Sequence, residues 1–238
     1  MHPYRITIAL VLFLLLPHWS SADPAEEQAI KQAEKPSPVV QTFHNCPARG
    51  RGDDEDLNFL KNRVDVPSSY LEVSFTTVRA LKAPIPTHRK DRANWREVDT
   101  AFVKELEGAP LTVVGFLAGV RLEGPESTNC GETAANRRDF HVWLVGARAQ
   151  RTPNSQLYDR RRAVVIQVSP RLREQHTQWT TTSLGQLVGT NTQVRISGWL
   201  MLDQEHPEQI GKTRGTLWEV HPITRIEVKD ANGWREPQ

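Results

Sequence analysis

Beyond residue 110 the hydrophobic pattern takes a period of two, in five segments separated by polar stretches and one helical interruption. Residues 111–122, 140–145 and 163–168 come first, the last dense in β-branched side chains. Residues 170–188 then read as helical or irregular, and segments 193–202 and 217–228 follow, the fifth broken or bent at Pro222. Alternation over such lengths marks strands with one face in a core. Gly115 and Gly119 inside the first segment permit the sharp bend that a small closed sheet needs.

Three strands, a helical connection and two strands is the order of the OB-fold, a five-stranded, partly open Greek-key barrel. A β-sandwich would ask for about seven strands and evenly spaced turns. The chain has no internal repeat and no coiled-coil heptads. The expected fold is mainly β with a helical amino-terminal extension (α+β): a barrel over 110–230 and a short tail over 231–238.

The residues before the barrel divide three ways. Residues 1–22 read as a secretory signal peptide: Arg5 gives a positive start, 6–16 form an apolar run, and Ser20, Ser21 and Ala22 are small. The run is short of the roughly 20 residues of a permanent membrane span, so no stable membrane anchor is expected. Residues 23–54, rich in Glu, Lys, Pro, Gly and Arg, read as a flexible linker. Residues 55–109 read as a helical extension. Its clearest helix is 94–108, where Trp95, Val98, Phe102 and Leu106 form a stripe that docks on the barrel, Asn94 offers an N-cap, and Gly108 and Pro110 end the helix.

The 30 basic and 28 acidic residues give the whole chain +2. Loss of Arg5 with the signal peptide leaves the balance near neutral, which argues against a dedicated polyanion binder. The two cysteines, Cys46 and Cys130, read as one disulfide in an oxidising compartment, periplasmic or extracellular. A metal site of His44, Cys46 and Cys130 is the competing reading, without the ligand spacing of zinc modules.

In an OB barrel, ligands meet the second and third strands between the loops joining strands one to two and four to five. Here those loops are 123–139 and 203–216, the latter carrying Glu205, His206, Lys212 and Arg214. Two alternating motifs border them, Asp139-Phe140-His141 and Glu219-Val220-His221. Residues two apart on a strand share a face about 6.5–7 Å from each other. Asp139 with His141, and Glu219 with His221, are therefore expected on the barrel exterior, Trp143 in phase beside them. Such a set could bind a divalent metal or do acid–base work, or each carboxylate could simply orient its histidine. Trp143, Trp199 and Trp218 are either stacking platforms or packing between layers. Arg160-Arg161-Arg162, with Arg148 and Arg151, make a basic patch that could touch nucleic acid, anionic lipid or an acidic polymer. No HExxH, nucleophile elbow, P-loop or dinucleotide fingerprint occurs.

The series from Asp139 to Leu144, then Gly198, Asp203 and His206, then Glu219 to Ile223, resembles uncharacterised bacterial exported proteins. Those carry an Asp-x-His-x-x-Leu strand and a closing Glu-x-His-Pro strand on an OB-like barrel. The resemblance spans about 120 residues and implies a shared polar set, with no established activity. The expectation is an exported binding or interaction module whose partner is a saccharide, a peptide or an envelope protein rather than nucleic acid. The alternatives are a metal-dependent hydrolase using Asp139, His141, Glu219 and His221, and a structural component of an envelope complex.

Overall fold

The computed structural model describes residues 21–52, 54–153 and 155–237, so nearly all of the signal-peptide reading lies outside the described residues. The order of elements is α1 (Pro24–Gln32), α2 (Glu55–Lys61), β1 (Leu71–Glu72), α3 (Phe75–Ala80), α4 (Glu97–Lys104), β2 (Pro110–Leu122), β3 (Phe140–Val145), β4 (Val164–Val168), α5 (Pro170–Arg173), α6 (Thr181–Gly185), β5 (Val194–Leu202), β6 (Trp218–Asp230) and β7 (Gly233–Arg235).

Five strands close on themselves as an OB-like barrel. β2 pairs antiparallel with β3, and β3 with β4. β4 runs parallel to β6, β6 pairs antiparallel with β5, and β5 returns to β2. β2 serves two neighbours: residues up to Gly115 pair with β5, and from Phe116 onward with β3. The bend expected at the glycines sits at that hand-over. β1 and β7 extend the sheet outside the barrel.

Alternation fills the interior. Leu117, Val142, Ile166, Ile196, Trp218 and Val220 all belong to one buried core. Burying each such side chain contributes about 1.5–3 kcal/mol. The predicted strand ends fall within two residues of those observed, because each strand has one face in this core.

The extension differs more from expectation. Residues 24–32, read as part of a flexible linker, form α1, with Asp23 accepting hydrogen bonds at its N-cap and Pro24 in its first turn. Its one fully buried side chain, Ile30, joins the main core. A single anchor leaves no periodic stripe in the sequence, and polar links complete the docking: Ser74 donates to the Glu26 carboxylate through its amide and its hydroxyl.

The predicted 94–108 helix is shorter, over Glu97–Lys104. Trp95 lies before it in extended conformation, its indole N–H donating to the His88 carbonyl and the Arg92 guanidinium 4.9 Å from its ring. Leu106 is buried and Phe102 packs against the core, but Val98 stays 65% exposed. Trp199 is buried where the Arg63 guanidinium stacks 3.3 Å from its ring and its indole N–H donates to the Asp65 carbonyl. Trp218 donates to the Lys82 carbonyl. These two tryptophans join layers.

Cys46 and Cys130 form the disulfide, which ties the extension to the β2–β3 loop. His44 instead meets Glu174 at 2.8 Å, so the His–Cys–Cys metal alternative falls away. Among the described residues no helix is long and apolar enough to cross a membrane.

Candidate functional site

The two polar loops lie at one end of the barrel, and α2 is wedged against both. Asp54 caps α2 by accepting from the Leu57 amide. On the β2–β3 loop side, Ser127 donates to Asn58, and Asn62 exchanges hydrogen bonds with Thr128. On the β5–β6 loop side, Gln204 donates to Asp54. Arg92 reinforces the joint, reaching Glu107 at 2.6 Å, the Leu202 carbonyl at 2.7 Å and Gln204 at 3.3 Å. The groove in which an OB ligand would lie is thus covered by this chain's own helix.

Lys61, the last residue of α2, enters that groove. Its ammonium is buried and stands 3.9 Å from Glu126 of one loop and 3.9 Å from Glu205 of the other. Both distances exceed a hydrogen bond. One lysine therefore faces several acids. Burial pushes Glu126 up to about 8, with Asp139, Glu123 and Asp203 adding repulsion that Lys61 only partly offsets. Glu205 is raised by burial and by Asp203. Asp203 is held below its usual range despite burial, by Arg214 and Lys61.

The folded chain keeps a proton on Glu126 that the unfolded chain releases near pH 4.5. This contribution to stability is complete below that pH and is lost as pH rises through about 8. Glu126→Gln is expected to flatten the decline of stability between those limits, measured by urea unfolding at a series of pH values. A decline unchanged in the variant would remove Glu126 as its source.

The alternating motifs point outward, as their phase requires, yet none of their residues is exposed. Asp139, His141, Glu219 and His221 are 2%, 8%, 0% and 1% accessible. Asp139 accepts from Asn129, which accepts in turn from Arg171. His141 Nδ1 meets Glu123 at 2.8 Å, and burial of that carboxylate is outweighed by His141 and Arg121, which bring it down to about 2. Glu219 lies 2.9 Å from Arg214 and accepts from Gln167.

Register separates the two histidines. His141 pairs with Gln167, and the β4–β6 ladder places His221 on the far side of Gln167. Two strand spacings, about 9–10 Å, therefore lie between their backbones. Among the described residues the ligand atoms of Asp139, His141, Glu219 and His221 do not gather into one group, whereas those of Asp203, Glu205 and His206 do. The row is a polar seam, and it is incompletely satisfied: His141 Nε2, Gln167 Oε1 and both nitrogens of His221 have no hydrogen-bond partner. His221 Nδ1 stands 3.7 Å from Glu219, beyond a hydrogen bond.

Trp143 is not an exposed platform. It is 3% accessible, stacked on His141 and covered by the Arg160 guanidinium 3.9 Å from its ring. Gly119 leaves room for that guanidinium, since a Cβ there would stand 2.4 Å from it. Arg214 is buried between Asp203 and Glu219, whereas Lys212 is exposed.

One group does meet metal geometry. Asp203, Glu205 and His206 each offer a ligand atom, all within 4.8 Å of one another, and so could hold a metal ion. Asp203 is buried and shared with Arg214, whose guanidinium donates to it at 3.0 Å. Glu205 is half-buried and His206 exposed. His206 and Glu205 were legible as polar loop residues; their closeness to Asp203 comes from the turn after β5, where Asp203 accepts from the Glu205 amide. Lys61, by contrast, carried no signal in its helix. Compared with protein-family models, curated proteins and solved structures, the chain matches none.

Proposed function

We propose that the chain is an exported, OB-like binding module that takes a divalent cation on its β5–β6 loop, at the mouth of the groove covered by α2. The supporting observation is the charge arrangement there. Asp203, Glu205 and His206 offer one nitrogen and two carboxylate ligands. The ammonium of Lys61 stands 3.9 Å from Glu205, without a hydrogen bond to it. A mixed N/O set of this kind suits zinc or manganese and leaves coordination positions open. Competition from Arg214 for Asp203 makes the affinity modest. A non-enzymatic role is favoured over the hydrolase because the His141 and His221 pairs stand apart. Export accords with the disulfide and with the signal-peptide reading.

Thermal unfolding of metal-free protein with added zinc or manganese tests this. At about 100 times Kd a ligand adds about 2.7 kcal/mol, or about 5–11 °C for a domain of this size. The gain should vanish in Glu205→Gln/His206→Ala, whose positions are accessible enough to keep the fold. An unchanged melting temperature for the parent protein, or an equal gain in the variant, removes the cation from this loop.

A further inference from the structure

A different cavity, of about 380 Å³, lies between α3 and the β3–β4 connection. Phe75 and Arg79 contribute from α3; Gly146, Arg148, Asp159 and Arg162 contribute from the connection. The volume lies in the range of small-molecule sites, at its lower end.

Three arginines and one carboxylate, Asp159, line this cavity, so its charge is mostly positive. Asp159, its carboxylate, is already engaged by Arg161 at 2.8 Å. Arg148 and Arg162 are exposed and make no ion pair within 4.0 Å in the described structure. Arg79 is half-buried, and burial together with the like charge of Arg162 lowers its proton affinity. Like-charged guanidiniums around one depression gain from an oxyanion that their planar forks can grip in pairs.

Two close approaches build the wall. At Gly146 a Cβ would stand 2.4 Å from the Phe75 ring, so only glycine lets that ring pack on the connection. At Gly215 a Cβ would stand 2.8 Å from the backbone of Arg162, which seats the arginine-bearing turn against the β5–β6 loop. The result is an aromatic face beside three guanidiniums, in a space for about one sugar ring.

We infer that this cavity is a binding site for a carboxylated saccharide, a sugar face lying on Phe75 and its carboxylate held by Arg148 and Arg162. A ring with one acid group uses both the aromatic wall and the arginines. Nucleic acid would call for a wider basic surface, and the +2 balance of the whole chain does not supply one.

Calorimetric titration of the full exported chain with an oligogalacturonate tests the site. A neutral glucose oligomer of equal length and a single-stranded oligonucleotide of equal charge serve as competitors in chemistry. The acidic oligosaccharide should bind at least tenfold more tightly than the neutral one. Arg148→Ala/Arg162→Ala, both at exposed positions, should weaken it at least tenfold, and Lys212→Ala, outside the cavity lining, should not. No binding of the acidic oligosaccharide, equal binding of the neutral one, or undiminished binding by the double variant each overturns the assignment. Tighter binding of the oligonucleotide gives the cavity to nucleic acid and overturns it also. None of these outcomes depends on the cation reading, which involves Asp203, Glu205 and His206 and none of the cavity's lining residues.

Discussion

Cys46→Ser/Cys130→Ser is expected to lower the free energy of unfolding by about 4–5 kcal/mol, a fall of about 8–20 °C in Tm. The two cysteines are 84 residues apart, and opening so long a loop restores much conformational freedom to the unfolded chain. The bridge also clamps the extension to the β2–β3 loop, so its loss loosens the seat of α2. Denaturant unfolding of the oxidised parent and the double serine variant measures the difference. A change under about 1 kcal/mol would mean that Asn58, Asn62 and their loop partners hold the two segments together without it.

The second large effect concerns Arg214. It is 1% exposed and sits between Asp203 at 3.0 Å and Glu219 at 2.9 Å. Arg214→Met removes the nearest cation and leaves two buried carboxylates with only the more distant Lys61 to offset them, which costs about 3–5 kcal/mol. Adding Glu219→Gln to Arg214→Met removes one of those charges and should recover at least a third of the loss. A double-mutant cycle by urea unfolding reads the coupling. Additive single effects would show that the guanidinium and Glu219 do not act as a pair.

The same two features show how far the chain could be read from its sequence. The barrel was legible because period-two alternation is imposed directly by burial of one strand face, and Val142, Ile166, Ile196 and Val220 obey it. The phase of His141 and Glu219 was equally legible, and both project outward. Their concealment was not, because it depends on residues 43–64 folding back across the groove. That interface is carried by Asn58, Lys61, Asn62 and Arg63, side chains whose polarity in sequence is that of a solvated helix. α1 leaves no such pattern in the sequence for a related reason, its attachment resting on Ile30 and a few polar links. Where packing is done by apolar stripes, local pattern suffices. Where it is done by hydrogen bonds between distant segments, only the assembled chain shows it.

The wrapping of the extension also sets an order of events. Asp65, Lys82, Arg92 and Asp54 find their partners in Trp199, Trp218, Leu202 and Gln204. A ribosome makes the first group more than a hundred residues before the second. The early third of the protein meets β2 and the β2–β3 loop first, but it completes these four bonds only when the final strands appear, and Cys46 must wait for Cys130. The segment synthesised first is therefore fully fastened only once the end of the chain is in place.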